Sequence, residues 1–270
     1  MAHKSAGRSA LARVLAVLET FDQDNSALTV SRISKRSGLP VPTVYRIVAE
    51  LLEMGLLERG SDRRLHVGVR LWEIASRAPR ALGLREAAMP FMEDLHAATR
   101  QHTQLYVLEG CDALVIERLS TRSAVTNVTQ VGDRQPLHAT TGGLVLLAHA
   151  SLHMQDSFLS APMRAYTPNT PTDPAELRRI LANIRTRGYV VCDGYITPDA
   201  LGVGTPVYSP SGDVIAALSV VVPRDGAQPM THVRALRLSS RGITDALGKP
   251  QVRHGPQNIR LFPFVNNEQL

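Results

Sequence analysis

Thr43, Tyr45 and Arg46 bring a hydroxyl, a phenol and a guanidinium together within one turn of a potential helix. Such a set suits nucleic acid, because threonine can donate to a phosphate or a base and arginine can bind guanine or phosphate through two hydrogen bonds. Further polar and basic residues lie before and after this group in the sequence. The candidate DNA-contacting residues are Arg32, Lys35, Arg36, Pro42, Thr43, Tyr45, Arg46, Arg63 and Arg64.

These residues need a scaffold that presents one helix to a groove. Apolar spacing, prolines and glycines predict, in order, a helix, a short helix, a turn, a helix and a hairpin, over Ser9–Phe21, Thr29–Ser37, Gly38, Pro40–Met54 and Leu56–Val69. This order is typical of a winged helix-turn-helix, whose second helix lies in the major groove. Arg63 and Arg64, at the tip of the hairpin, suit an adjacent minor groove or the backbone. The alternative is a small helical subdomain with an ordinary solvated basic surface.

The distribution of charge agrees with a polyanionic partner for the first third of the chain. Residues 1–80 carry a net charge of +5, whereas the remaining 190 residues carry only +1. Neutralisation of phosphates supplies the non-specific part of DNA affinity. A merely soluble basic face would give the same count, so charge alone does not decide between the two interpretations.

Length and composition limit the other classes of protein. With 270 residues and 44% hydrophobic content, the chain can form two domains with sizeable cores. It contains no apolar run of the length that spans a membrane and no signal-peptide pattern at its start. Only two cysteines are present, Cys111 and Cys192, which favours a reducing compartment. We therefore expect a cytoplasmic protein.

The rest of the chain alternates between helical and extended patterns. The pattern predicts a helix over Leu71–Arg80 and a second helix over Leu84–Arg100 with a kink or restart at Met89-Pro90. We assign residues 71–83 to a linker helix and residues 84–248 to a mixed domain. In that domain we expect strands at Gln104–Leu108, Ala113–Leu119, Ala124–Val131, Val203–Tyr208 and Val214–Val222, and helices at Gly142–Ala150, Pro174–Arg187 and Thr231–Leu247. Residues 249–270 have no period and are expected to form a loose tail.

Two groups of residues raise the possibility of an enzyme. Cys192 next to Asp193, with His138 elsewhere, could form a nucleophile and a base. However, Tyr189–Val191 has the pattern of a core strand, which favours a buried and inert thiol. His149 and His153 have the spacing of a metal pair, but no glutamate follows His149 as a metalloprotease requires. Two exposed histidines near a helix end are the better interpretation, and we expect neither a metal, a cofactor nor catalysis.

Several separate segments resemble the IclR family of bacterial transcription regulators, over roughly Ser9 to Gly248. The segments are SALARVLAVLETF, SRISKRSGLPVPTVYRIVAELLEMGLLER, GDRQPLHATTGG, TPNTPTDPAELRRILANIRTRGYVVCDG and GTPVYSPSGDVIAALSV. The resemblance implies an α+β protein with a winged helix-turn-helix over 1–70, a linker helix and a GAF-like α/β domain that binds a small-molecule effector. It also implies homodimers, often paired into homotetramers, on palindromic operators in double-stranded DNA.

The family pattern places the effector pocket under the His-Ala-Thr segment, the start of the following helix and the two late strands. Carried over position by position, it implies contacts from His138, Ala139, Thr140, Gly142, Gly143, Asp193, Gly202 and Ser219. Independently, the start of a helix after Thr140 favours a carboxylate, since its unpaired N–H groups and dipole attract negative charge. The alternative for the two glycines is close packing of helix on sheet.

Departures from the family pattern indicate a less polar pocket. Outside the pocket, Val41 stands where many relatives have a basic residue, so we expect fewer base or phosphate contacts there. In the pocket, Gly202 stands where cysteine is common and Val221 where a small polar residue is common. These differences favour an aromatic or apolar-bodied acid as the effector. We expect a ligand-responsive repressor of a neighbouring metabolic operon, in which the 71–100 helices transmit the response. An activator, or a DNA-binding protein with no effector, remains an alternative.

Overall fold

The computed structural model describes residues 9–22, 24–77, 79–121 and 129–249. The chain divides into two compact units, Met1–Leu82 and Gly83–Leu270. The boundaries expected from the sequence, 1–70, 71–83, 84–248 and 249–270, remain predictions. The proposed tail lies almost entirely outside the described residues.

In its described residues, the N-terminal unit contains three helices, a two-stranded antiparallel sheet and a fourth short helix. They are α1 (Ala10–Leu18), α2 (Val30–Ser37), α3 (Val41–Glu53), β1 (Leu57–Arg59), β2 (Leu65–Val67) and α4 (Val69–Ala75). This is the expected winged helix-turn-helix. The apolar positions of the periodic pattern form one core, with Ile33, Val44 and Leu65 fully buried.

Local chemistry determines where α2 begins and ends and where α3 begins. The hydroxyl of Thr29 accepts the N–H of Arg32 at 3.3 Å and caps the start of α2. Gly38 ends α2 in the left-handed conformation, φ 69°, which glycine adopts without steric cost. The Ser34 hydroxyl then donates to the Leu39 carbonyl at 2.6 Å and closes the turn. Pro40 follows as the N-cap of α3.

The expected linker helix over residues 71–83 is divided between two helices. The first, α4, ends at Ala75, and α5 (Pro79–Thr99) begins four residues later. Ser76 and Arg77 lie in a turn, since their N–H groups bond to the Trp72 and Ile74 carbonyls. No residue of α4 is buried, and Trp72 is 72% exposed. Periodicity missed the break because apolar residues continue on both sides of it.

Pro90 does not interrupt α5. The helix runs through it, so the expected kink or restart at Met89-Pro90 does not end the element. Leu84, Ala88, Met92 and Leu95 form the buried stripe of α5 and pack into a core with the sheet. Tertiary packing of this stripe offsets the hydrogen bond that a proline removes from a helix.

The C-terminal unit is built on a six-stranded antiparallel sheet with the order β5-β4-β3-β8-β7-β6. Its strands are β3 (His102–Glu109), β4 (Asp112–Leu119), β5 (Arg134–Pro136), β6 (Val190–Asp193), β7 (Ala200–Tyr208) and β8 (Val214–Pro223). Its helices are α5, α6 (Thr141–His149), α7 (Leu152–Leu159), α8 (Pro174–Arg187) and α9 (Pro229–Leu247). The expected strand at Ala124–Val131 lies largely outside the described residues, and its described part, 129–131, is not a strand.

Helices cover both faces of this sheet. On one face, α6 and α8 pack on β3, β6 and β8 through residues such as Tyr106, Leu144 and Leu181. On the other face, α5 and α9 pack through residues such as Met92 and Leu236. The alternation of side chains along a strand directs Leu105 to one core and Tyr106 to the other. The fold is therefore a mixed α+β architecture, as the sequence predicted.

Candidate functional site

The helix α3 presents a continuous exposed face at its start. Pro42, Tyr45 and Arg46 are exposed and Thr43 is half-buried, whereas Val44 faces the core. Tyr45 is 60% exposed although it is a large aromatic residue. The structure thus brings these four predicted residues onto one surface, where they can reach an external partner.

The predicted basic residues of α2 and α3 differ in the ion pairs that they form. Arg46 forms an exposed i,i+4 ion pair with Glu50 at 3.3 Å. Pairs of this kind contribute about 0.3–0.5 kcal/mol, so a phosphate or a guanine can displace the glutamate. Arg36 donates to Asp22 at 2.6 Å, and hydrogen bonds from Asn25 and the charge of Arg36 lower the pKa of that carboxyl. Arg32 and Lys35 are exposed on α2.

The wing tip is a tight turn rich in arginine. The N–H of Gly60 donates to the Arg64 carbonyl at 2.8 Å and that of Arg63 to the Gly60 carbonyl at 3.0 Å. Arg63 has φ 62°, which is unusual for a residue other than glycine. Arg59 donates to the Arg63 carbonyl at 3.1 Å and braces the turn. Arg59, which we did not predict as a site residue, adds a third guanidinium to this tip.

A small cavity lies between the start of α6 and one face of the sheet. Its volume is about 100 Å³, on the scale of a cavity that accepts a single benzene ring, about 150 Å³. It is lined by Gln104, Tyr106, Thr129, Gln135, Ala139, Thr140, Thr141, Cys192, Tyr195, Ile196, Thr197, Ala200, Gly202 and Val221. None of these lining residues carries a charge at neutral pH.

Three of the eight predicted effector residues line this cavity, namely Ala139, Thr140 and Gly202. Thr140 caps α6, because its hydroxyl accepts the N–H of Gly143 at 3.1 Å and donates to the Pro136 carbonyl at 2.9 Å. Gly202 pairs with both Cys192 and Val221 across neighbouring strands. A side chain at Gly202 would meet Thr141, so glycine here lets the helix start lie close to the sheet.

Gly142 and Gly143 are buried but do not line the cavity. A Cβ at Gly142 would overlap the ring of Tyr106, and one at Gly143 would overlap the backbone of Leu137. Glycine is thus required at both positions for close helix–sheet packing. This was the alternative to a direct effector contact. Their effect on the cavity is indirect, because Gly142 determines where the Tyr106 ring lies.

The other three predicted effector residues lie around the cavity rather than in its wall. His138 is 4% exposed, and its Nε2 donates to the Arg164 carbonyl at 2.9 Å. Asp193 forms an ion pair with Arg224 at 2.7 Å. Ser219 is fully buried on β8 opposite Gln104. Sequence reasoning missed Gln104 and Tyr106, although a glutamine in a predicted strand is an available signal for a buried polar function.

Burial governs the titration of the groups in the cavity wall. It raises the pKa of the Tyr106 hydroxyl well above its ordinary value. It raises the pKa of Tyr195 to about 12. It also raises the pKa of the Cys192 thiol far above neutrality. Cys192 is therefore a neutral thiol near pH 7, as expected of a core cysteine and not of a nucleophile.

The two histidines with helical spacing do not share a helix. His149 ends α6, is half-buried and contacts the Val145 carbonyl through Nδ1 at 2.9 Å. His153 is exposed on α7, which begins after the Ser151 cap. The expectation of two exposed histidines near a helix end is wrong for His149, which is half-buried, whereas His153 is exposed near the start of α7. Within the described residues, no cluster of three histidine, cysteine or acidic side chains could hold a metal ion.

A basic winged helix-turn-helix together with a sheet domain that contains a cavity defines a ligand-responsive, DNA-binding transcriptional regulator. Residues 10–61 match the IclR helix-turn-helix domain, and residues 77–235 match the C-terminal domain of the bacterial transcriptional regulator IclR. The chain therefore belongs to the IclR family. Along the described parts of the chain, no helix has the length and apolar character needed to cross a membrane.

Solved and curated relatives agree with this assignment. An IclR homologue from Microbacterium hydrocarbonoxydans, complexed with 4-hydroxybenzoate, has 46% sequence identity and a TM-score of 0.84, covering 88% of this chain and 99% of that chain. The regulator BhcR of Paracoccus denitrificans is 31% identical, covering 82% of this chain and 80% of the relative. The Pca regulon regulatory protein of Pseudomonas putida is 30% identical, covering 78% and 73%.

Proposed function

We propose that this chain represses a metabolic operon by binding its palindromic operator as a homodimer or homotetramer in the cytoplasm, and that an aromatic monocarboxylate controls the binding. The neutral cavity at the start of α6 carries this proposal. No enzymatic activity forms part of it.

Size and charge of the cavity support an aromatic monocarboxylate. The space suits about one ring, and the wall supplies apolar surface from Ala139, Ile196 and Val221. The start of α6 favours one negative charge through its unpaired N–H groups and its dipole. A second carboxylate would lie against a wall whose described residues include no cationic side chain, which is unfavourable in a partly buried site. The 4-hydroxybenzoate in the Microbacterium relative has this chemistry.

The exposed face of α3 supports DNA recognition through the major groove. Tyr45 and Arg46 would reach base edges, while the wing arginines Arg63 and Arg64 would contact an adjacent groove or the backbone. The other predicted residues would lie against phosphates. They are Pro42 and Thr43 on α3 and Arg32, Lys35 and Arg36 on α2. In a dimer, the two copies of α3 would enter major grooves about one helical turn apart.

Relatives that are named as repressors support repression rather than activation. The transcriptional repressors AllR of Klebsiella pneumoniae and Escherichia coli are 27% and 26% identical to this chain over 91% and 90% of its length. An effector that releases a repressor must bind the free protein more tightly than the operator-bound form. By the same linkage, operator DNA must weaken effector binding by an equal factor.

Thermal unfolding with candidate acids tests the effector class. A ligand that binds only the folded protein stabilises it by about 2.7 kcal/mol at a concentration of 100 times its Kd. We expect 4-hydroxybenzoate and benzoate to raise the melting temperature and terephthalate, which carries a second carboxylate, to leave it unchanged. Equal stabilisation by terephthalate, or none by either monocarboxylate, would contradict the proposed effector class.

A gel-shift titration on the chain's own promoter tests the sign of the response. The acid that stabilises the protein should release the promoter fragment at a salt concentration that keeps binding intact without the acid. A scrambled fragment of equal length is the control, since phosphate contacts alone would retain it as well. Tighter promoter binding in the presence of the acid would contradict release of a repressor.

A further inference from the structure

The amide of Gln104 is a buried donor without a partner in the described part of the chain. The residue is 1% exposed and lies in the cavity wall. Its Oε1 accepts the Tyr106 hydroxyl at 2.6 Å, but its Nε2 has no hydrogen-bond acceptor among the described residues. Buried amide N–H groups are nearly always bonded, so a donor left open in a cavity wall points to a ligand acceptor.

Tyr106 forms a hydrogen bond to one end of the Gln104 amide. Its hydroxyl donates to Oε1, so the NH₂ group is the part left for another partner. The ring of Tyr106 is itself held, because it lies directly against the backbone of Gly142. Both side chains are on the same face of β3, two residues apart. The amide is therefore positioned before any ligand arrives.

The cavity thus offers two separate sets of donors. The first is the start of α6, where the Thr140 cap takes the N–H of Gly143 and leaves the amide of Thr141, a residue of the cavity wall, without a partner inside the helix. That end carries the positive helix dipole and suits a carboxylate. The second set is the neutral amide of Gln104, which suits an oxygen without full charge.

We infer that Gln104, positioned by Tyr106, determines effector specificity by donating from Nε2 to an oxygen substituent on the ring, while the carboxylate lies at the start of α6. This inference rests on the proposed function, because it concerns the same cavity. The ligand class is a monocarboxylate with a hydroxyl or carbonyl oxygen on its ring. Benzoate, which lacks that oxygen, leaves the amide unsatisfied and binds more weakly.

Isothermal titration of the full chain with 4-hydroxybenzoate and benzoate tests this role. The wild-type protein should bind 4-hydroxybenzoate about tenfold more tightly, the value expected for one hydrogen bond to a buried donor. In Gln104→Met, which keeps the length of the side chain, 4-hydroxybenzoate should lose that advantage. Benzoate affinity should stay within about twofold of wild type, since its carboxylate contacts do not involve the amide.

A second variant protects the test against a folding defect. Gln104→Met leaves the Tyr106 hydroxyl buried without its acceptor, which is costly. The double variant Gln104→Met with Tyr106→Phe removes both partners of that bond and should show the same loss of discrimination. Thr103→Val is the matched control, because Thr103 is fully buried on the opposite face of the same strand and should keep the wild-type ratio.

The results separate this inference from the proposed function. If the wild-type protein binds both acids with equal affinity, or if Gln104→Met weakens both acids to the same extent, Gln104 does not recognise the ring oxygen. If the wild-type protein binds neither acid, the proposed effector class is wrong and the inference is overturned with it.

Discussion

Individual side chains of α3 carry the DNA-binding hypothesis, and Arg46 is the most direct test. Its side chain is 64% exposed and forms a surface ion pair with Glu50. Arg46→Ala should weaken operator binding by about 1–3 kcal/mol, the value of one bidentate base contact, and relax specificity at one base pair. Competition gel shifts at fixed salt, with single-base variants of the operator, measure both effects.

A matched variant separates this contact from a general loss of charge. Arg178 forms a similar exposed pair with Asp156 at 3.4 Å, but on α8 of the other unit. Arg178→Ala changes the net charge by the same amount and should leave operator affinity within about twofold, since it removes no DNA contact. Equal losses in the two variants would contradict docking through α3.

At Gly142, one absent methyl group determines the shape of the cavity. A Cβ there would overlap the Tyr106 ring, so Gly142→Ala must move the tyrosine or the helix. Effector binding, measured by isothermal titration, should fall by tenfold or more, while operator binding without effector stays unchanged. Gly248→Ala is the control, because a Cβ at that position makes only ordinary contacts, with its nearest neighbour at 3.6 Å. An unchanged effector response in Gly142→Ala would mean that the cavity is not the effector site.

Among the elements, α5 and β4 are joined by a partly buried ion pair. Arg85 donates to Glu117 at 2.6 Å, and the N–H of Arg118 donates to the other carboxylate oxygen at 2.7 Å. The Glu117 side chain is 8% exposed, whereas that of Arg85 is 45% exposed. Glu117→Ala should cost about 1.5–3 kcal/mol of unfolding free energy, as expected for hydrogen bonds to a buried charge.

Urea unfolding measures this cost as a shift of the midpoint at constant slope. Asp156→Ala removes the acidic partner of the exposed pair with Arg178 and should change stability by less than about 1 kcal/mol. A similar shift in both variants would show that burial does not strengthen the contribution of Glu117 to the free energy of unfolding. The comparison also reports how firmly α5 is attached to the sheet.

Elements with capping signals were predictable from the sequence. The helix predicted at Pro174–Arg187 has those bounds in the structure, since Asp173 caps its start and Gly188 ends it with φ 72°. The hairpin of β7 and β8 was also predicted, although both strands extend further. By contrast, α7 was not predicted, because it has only eight residues and follows α6 after Ala150 and Ser151.

The wall of the cavity was only partly predictable. The start of α6 has a recognisable signature in Thr140 and the following glycines, so Ala139 and Thr140 could be placed there. Tyr195, Ile196 and Thr197 come from the connection between β6 and β7, which no periodicity describes. Gln104 and Tyr106 required knowledge of which strands are neighbours, namely β3 beside β8, and a single sequence does not contain that pairing.

Taken as a whole, the molecule places its only tryptophan where assembly can be observed. Trp72 is the single tryptophan in 270 residues, and 72% of it is exposed on a helix that also exposes Val69. Exposed apolar side chains grouped in this way favour contact with another chain. Indole fluorescence from dilute protein should therefore be long-wavelength and readily quenched by acrylamide. If the proposed homodimer forms through α4 at higher concentration, the emission should shift to shorter wavelength, whereas a spectrum unchanged from nanomolar to micromolar protein would show that α4 stays in water.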